Sequence, residues 1–150
     1  MPFTPQDPGY APRVRASFGH QPAMATMGAV LTRVEPGEVD IELPFRADLT
    51  QQNGFIHAGM LSAVLDSACG YAAFTLMPAD ADVLSIEFKV NLLAPARGER
   101  ILVRSRVVRA GRTISVCTAD AFAVRDGREH HVATMTGTMM TMLPRGDAAG

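Results

Sequence analysis

Asp66 is the only charged residue in the twenty positions from Ala58 to Met77. Carboxylates are rarely buried without a partner, so a lone acid in an apolar run is a functional candidate on physical grounds. A carboxylate in such a place suits a general base. The alternative is an aspartate held by neighbouring hydroxyls or reaching solvent. His57 stands nine residues earlier, just before the same run. On one helix that spacing is about 13.5 Å, at roughly 100° per residue, so the two side chains point to opposite sides. They cannot form a dyad within one chain. If both serve catalysis, His57 of one subunit meets Asp66 of another. That predicts an obligate homodimer with two equivalent sites under two-fold symmetry, and a dimer of dimers as a larger assembly. Ala58 and Gly59 follow His57 at the helix start, where free N–H groups and the dipole favour developing negative charge.

Other chemistries are less well supported. Cys69 and Cys117 have no metal spacing and no nucleophile context, so they are expected in the core of a protein from a reducing compartment, with a cytoplasmic location. His130-His131 has no partner ligands, and no metal site is expected. Charge is unevenly placed. Residues 1–96 hold five basic and ten acidic groups, and residues 97–150 hold nine arginines and five acids. Arginine donates two parallel bonds from a planar fork, which suits phosphate. Arg97, Arg109 and Arg112 are therefore candidate contacts for a phosphorylated ligand, with a solvated strand face as the plainer alternative.

The elements must position these residues. Arg13 to Gly19 is weakly helical, and Gln21 to Met27 reads as a loop. Ala29 to Val34 and Val39 to Leu43 form a hairpin about the turn Glu35-Pro36-Gly37-Glu38. Arg46 to Ile56 is a polar loop. The run from Ala58 to Met77 is rich in small residues and apolar nearly all round, which marks a core helix. Its central carboxylate, and the lack of a basic flank, argue against a membrane span. Leu84, Ile86, Phe88, Val90 and Leu92 then alternate with polar residues as a half-buried strand. Strands follow at Ile101–Val107, Ile114–Val124 and Val132–Met142, with Ala110-Gly111 and Asp126-Gly127 as turns. Short connections favour sequential pairing. The sum is an α+β class: an antiparallel sheet with one long buried helix.

The 150 residues and 47% apolar content fit one globular domain. Residues 1–25, with Pro2, Pro5, Pro8 and Pro12, read as a flexible lead-in without a targeting signal. Residues 26–143 form the domain and 144–150 a flexible tail. A net charge of −1 argues against nucleic acid as a partner.

The stretch Gln51-Gln52-Asn53-Gly54-Phe55-Ile56-His57-Ala58-Gly59, followed by Asp66-Ser67-Ala68-Cys69-Gly70-Tyr71-Ala72-Ala73, resembles the PaaI-like acyl-CoA thioesterases of the hotdog superfamily. Ser85 to Asn91, Leu93 to Ala96 and Arg109-Ala110-Gly111-Arg112 resemble the family's later strands. The resemblance implies the hotdog fold, with a sheet wrapped around the central helix and sites at a dimer interface. It implies hydrolysis of an acyl-CoA thioester, with coenzyme A as part of the substrate and no separate cofactor. Asp66 would activate water or attack the carbonyl itself. His57 would position the thioester or the loop, and the Ala58 N–H would be the oxyanion donor. Ala58 departs from the commoner glycine there. Gln51 lies six before His57, where relatives carry an amide that orients water or carbonyl. Gln52, Asn53, Gly59 and Ser85 are candidate substrate contacts, although Ser85 falls on the polar phase of its strand. Gly70 lacks the hydroxyl some relatives have one turn after the acid. A hotdog dehydratase or hydratase is a second reading, disfavoured by the missing Pro-containing loop. A non-catalytic acyl-CoA-binding module is a third.

Overall fold

The computed structural model describes residues 2–145. Two short helices, α1 (Tyr10–Gly19) and α2 (Pro22–Met27), precede a hairpin of β1 (Val30–Glu35) and β2 (Glu38–Pro44). The long helix α3 (Ala58–Phe74) follows, then β3 (Asp82–Leu92), β4 (Arg100–Ala110), β5 (Ile114–Arg125) and β6 (Arg128–Met142). The strands form one antiparallel sheet in the order β1-β2-β4-β5-β6-β3. Bulges in β1, β3, β4 and β6 bend it, and α3 lies in its concave face. This is the expected α+β arrangement.

The small side chains of α3 let it sit close to the strands. Ala68, Cys69 and Ala72 are fully buried. Opposite them, a Cβ added at Gly137 of β6 would lie 3.6 Å from the Cys69 Cβ and 2.8 Å from the Met139 Cε. Val39, Ile41 and Leu43 of β2 and Ile101 and Val103 of β4 close the core from the other half of the sheet. The β5–β6 turn places Asp126 at φ 53° and Gly127 at φ 72°, the paired left-handed conformation of a tight hairpin.

Four expectations are corrected. Gln21 to Met27 is not a loop throughout: Pro22 opens α2 and Gly28, at φ 74°, closes it, the usual proline-first, glycine-last signals. The lead-in is docked rather than loose. Gln6 Nε2 donates to the Leu76 carbonyl at 3.0 Å, and Phe3 packs against the core. The pairing is not sequential. Helix α3 carries the chain beneath the sheet to its far edge, so β3 meets β6 and β4 inserts between β2 and β5. Apart from Val83 and Val90, the apolar residues of β3 are not half-buried. Leu84, Ile86, Phe88 and Leu92 are each 46–57% exposed on this edge strand. The proposed tail of residues 144–150 falls mostly outside the described residues.

Candidate active site

Asp66 lies midway along α3, half-buried, on the side that faces β3. Ser85 Oγ donates to its Oδ1 at 2.6 Å and also touches Met139 Sδ at 3.3 Å. A bulge between Ser85 and Glu87 makes this contact possible. Ser85 pairs with Met139, whose side chain is wholly buried, so Ser85 points inward. After the bulge Phe88, Val90 and Leu92 pair with the buried positions Gly137, Met135 and Ala133. The strand changes phase at one residue, which a strict alternation cannot anticipate.

The carboxylate lines a cleft of about 490 Å³ between α3, the start of β3 and the α1–α2 junction. Ser17, His20 and Gln21 form its outer wall, and the sequence reading missed all three. Gln21 Nε2 donates to Ser67 Oγ at 3.3 Å, and the hydroxyls of Ser17 and Tyr71 are 3.2 Å apart. Their one advance signal was the proline-opened helix α2, read as a loop. A Cβ on Gly70 would meet nothing within 4 Å, so the cleft is open at that point.

His57 is the N-cap of α3. Its Nδ1 accepts the Gly59 N–H at 2.8 Å, which satisfies one of the orphan donors of a helix start. An accepting Nδ1 leaves the ring proton on Nε2, so the imidazole offers a donor outward. A Cβ on Gly59 would lie 3.1 Å from His57 Nδ1. Glycine thus permits the ring to fold back onto the helix, and its N–H is engaged by His57 rather than offered to a ligand. Among the described residues the Ala58 N–H meets no acceptor.

His57, Ala58, Gln51 and Gln52 line a second cleft, of about 650 Å³, with Leu92 to Ala96 opposite. Gln51 Oε1 accepts the Asn53 N–H at 2.5 Å, and Gly54, at φ 82°, donates its N–H to the Gln51 carbonyl at 3.0 Å. The amide of Gln51 therefore shapes its own turn. Asn53 is exposed on that turn and does not line the cleft. Within one chain His57 and Asp66 stand in different clefts.

The three arginines are not brought together. Arg97 lines a cavity beside the His57 cleft. Arg112 lines another at the far end of α3, near Phe3 and Leu76, and Arg109 is exposed close to it in β4. Both cysteines are buried and free. Burial pushes the Cys117 thiol up to about 12 and the Cys69 thiol higher still. His131 pairs with Asp120 at 2.8 Å and stacks on Phe122. Among the described residues, no three histidine, cysteine or acidic side chains cluster as a metal site would require. No helix of the described residues is long and apolar enough to cross a membrane.

A long buried helix in a curled antiparallel sheet defines the hotdog fold. The family model for the thioesterase superfamily matches residues 53–129, just over half of the chain. The chain belongs to that superfamily. A solved thioesterase family protein from Silicibacter pomeroyi is 56% identical and superposes with a TM-score of 0.90, over 91% of this chain and 100% of that one. The PaaI protein of the Escherichia coli phenylacetic acid degradation operon is 15% identical and shares the fold, with a TM-score of 0.79 over 89% of this chain and 93% of its own. A candidate esterase of Saccharolobus solfataricus is 30% identical over 95 residues. That match takes in 63% of this chain and 66% of the relative, so the chain spans just under two thirds of the relative's length.

Proposed function

We propose that the protein hydrolyses an acyl-CoA thioester to the free acid and coenzyme A, in a homodimer whose sites combine Asp66 of one copy with His57 and Ala58 of the other. The observation that carries this reading is the Asp66 carboxylate. It is the one charge on its helix, it is held by a 2.6 Å bond from Ser85, and it fronts an open cleft.

In this reading the thioester carbonyl lies against the unpaired Ala58 N–H, where the helix dipole stabilises the developing oxyanion. The Nε2–H of His57 donates toward the thioester and keeps the acyl group in register. Asp66 takes the proton of an attacking water, or attacks the carbonyl to form an anhydride that water then opens. Either way the C–S bond breaks with the thiolate as leaving group, and the water proton returns to it. Neither step needs a metal or redox cofactor.

The exposed apolar edge of β3 supports the dimer. Edge strands of this length invite pairing unless blunted by charge, proline or cover, and this one presents leucine, isoleucine and phenylalanine with the opposite charges Glu87 and Lys89 between them. Pairing two such edges antiparallel would set the His57 end of one copy beside the Asp66 end of the other. A dimer of dimers is a further expectation. Neither nucleic acid nor membrane is an expected partner, and the two free thiols fit a cytoplasmic location.

Thiol release measured over a panel of acyl-CoA chain lengths tests the reading, with Asp66→Asn as the key variant. Asp66→Asn is expected to keep its dimer by size-exclusion chromatography and to lose about 10²–10⁴-fold in kcat, the usual worth of a general base. Full activity in that variant, or no thiol release by the wild type from any member, would overturn it.

A further inference from the structure

Beyond the catalytic groups, one cavity has the composition of an anion site. It measures about 290 Å³ and draws Arg97, Arg125 and His130 to one place, with no carboxylate in its lining. Phe55, Ala94 and Pro95 line both this cavity and the His57 cleft, so the two form one continuous trough. The groove on the outer face of the sheet is built differently. There Arg33, Arg104 and Arg106 stand among Glu38, Asp40 and Asp120, and the charge is neutralised internally. Around the Arg97 cavity it is not. Arg125 and Arg128 are directly paired across the β5–β6 hairpin, and like charges in that position repel and cost stability. An anion seated beside Arg125 offsets that repulsion.

Resting on the acyl-CoA reading above, we infer that Arg97, Arg125 and His130 bind the nucleotide phosphates of coenzyme A. The pantetheine arm would run over Phe55, Ala94 and Pro95 to the thioester at His57 and Ala58. The two arginines come from different parts of the chain, the β3–β4 connection and the end of β5, and the sheet brings them together. Planar guanidinium groups from two directions clamp a phosphate bidentately, which a single surface arginine cannot do. Arg109 and Arg112 stand at the opposite end of the molecule, outside this trough. The cavity thus selects a thioester carrier by phosphate, and leaves the acyl group to the clefts that hold the catalytic residues.

Two measurements on the full-length protein test this. Calorimetry with free coenzyme A reads binding without any reaction. Arg97→Ala and Arg125→Ala are each expected to weaken it about tenfold or more, the scale of one charge-assisted hydrogen bond. Arg15→Ala, which removes an exposed arginine of α1, should not. Steady-state thiol release then compares an acyl-CoA with the same acyl group on pantetheine, which has no phosphate. The wild type should show a KM at least tenfold lower for the CoA ester, and the ratio should fall toward one in Arg125→Ala. Coenzyme A bound equally by wild type and variants, or not bound at all, would overturn the site while leaving hydrolysis of the pantetheine ester intact. Binding lost in the variants without thiol release from either ester would uphold the site and sink the hydrolase reading. Discrimination shown only toward acyl groups on a carrier protein, with coenzyme A binding unaltered, would also overturn it.

Discussion

The Ser85–Asp66 bond is the polar contact nearest the chemistry, and its effect is on orientation. A hydrogen bond to a charged group contributes about 1.5–3 kcal/mol. If it holds the carboxylate in its reacting pose, Ser85→Ala is expected to lower kcat about 10–100-fold with KM little changed. Ser85→Thr, which retains the hydroxyl on a β-branched residue suited to a strand, should restore most of the loss. A serine that merely faced the cleft would give equal kinetics in both variants. This residue also marks the limit of what the sequence made legible at this scale. Asp66 and His57 stood out because one charge interrupts an apolar run and one histidine precedes it. Ser85 stood on the polar phase of its strand, and only the bulge at Ser85/Glu87 turns it inward. A bulge depends on pairing with a distant strand, here β6, and leaves no mark in local periodicity. The thiols follow the simpler logic of burial. Cys117 has an ordinary value of 9.0 raised to about 12 by desolvation. The folded state therefore keeps its proton where the unfolded chain loses it. The stability due to the neutral thiol is fully present below pH 9, and is lost as pH rises toward 12. Neither cysteine should react with a thiol reagent at pH 8 before unfolding, and prompt modification of the native protein would contradict that burial.

Among the elements, α3 is legible because its composition permits no other place. It is small and apolar all round, so it must be wrapped. Its C-terminal end shows how the wrapping is completed. Arg13 of α1 donates to the carbonyls of Phe74 and Met77, each at 3.0 Å, and to that of Pro78 at 2.5 Å. Its guanidinium lies over the Phe74 ring at 4.3 Å, with the Asp7 carboxylate 3.2 Å from its Nε. A cation here meets the negative end of the helix dipole, satisfies the Met77 carbonyl, which no backbone donor reaches, and adds a second bond to those of Phe74 and Pro78. Arg13→Ala is expected to destabilise the fold by about 2–3 kcal/mol, on the scale of charge-assisted bonds in a part-buried site, read as a lower midpoint in urea with the slope unchanged. An unaltered midpoint would show that the N-terminal segment is held by Phe3 and the α1 packing alone. The prolines of residues 2–12 suggested a loose segment. Gln6 of that segment bonds to Leu76 and Phe3 lies against Gly37, both far along the chain. Docking at that range follows from the finished fold and not from local composition.

At the scale of the whole molecule, the helix arithmetic and the two clefts converge. His57 and Asp66 are separated by nine residues of α3 and open into different spaces of the same chain. The β3 edge between those spaces exposes Leu84, Ile86, Phe88 and Leu92. The sequence showed these residues as a strand, and read them as half-buried because alternation cannot tell a face against the core from an exposed edge. If each active site takes one residue from each copy, inactive variants should rescue one another. Asp66→Asn and His57→Ala homodimers each lack a complete site. Mixed one to one and allowed to exchange, half of the dimers become heterodimers. In each of these, one site receives both substituted residues and the other receives both native ones. Activity should therefore rise from near zero to about one quarter of the wild-type value, as two-fold symmetry with two independent sites requires. Exchange is checked by mass spectrometry of differently tagged chains, so that absent activity is not mistaken for absent mixing. Exchange without any recovery would mean that each chain carries its own complete site, and the shared-site mechanism would fall.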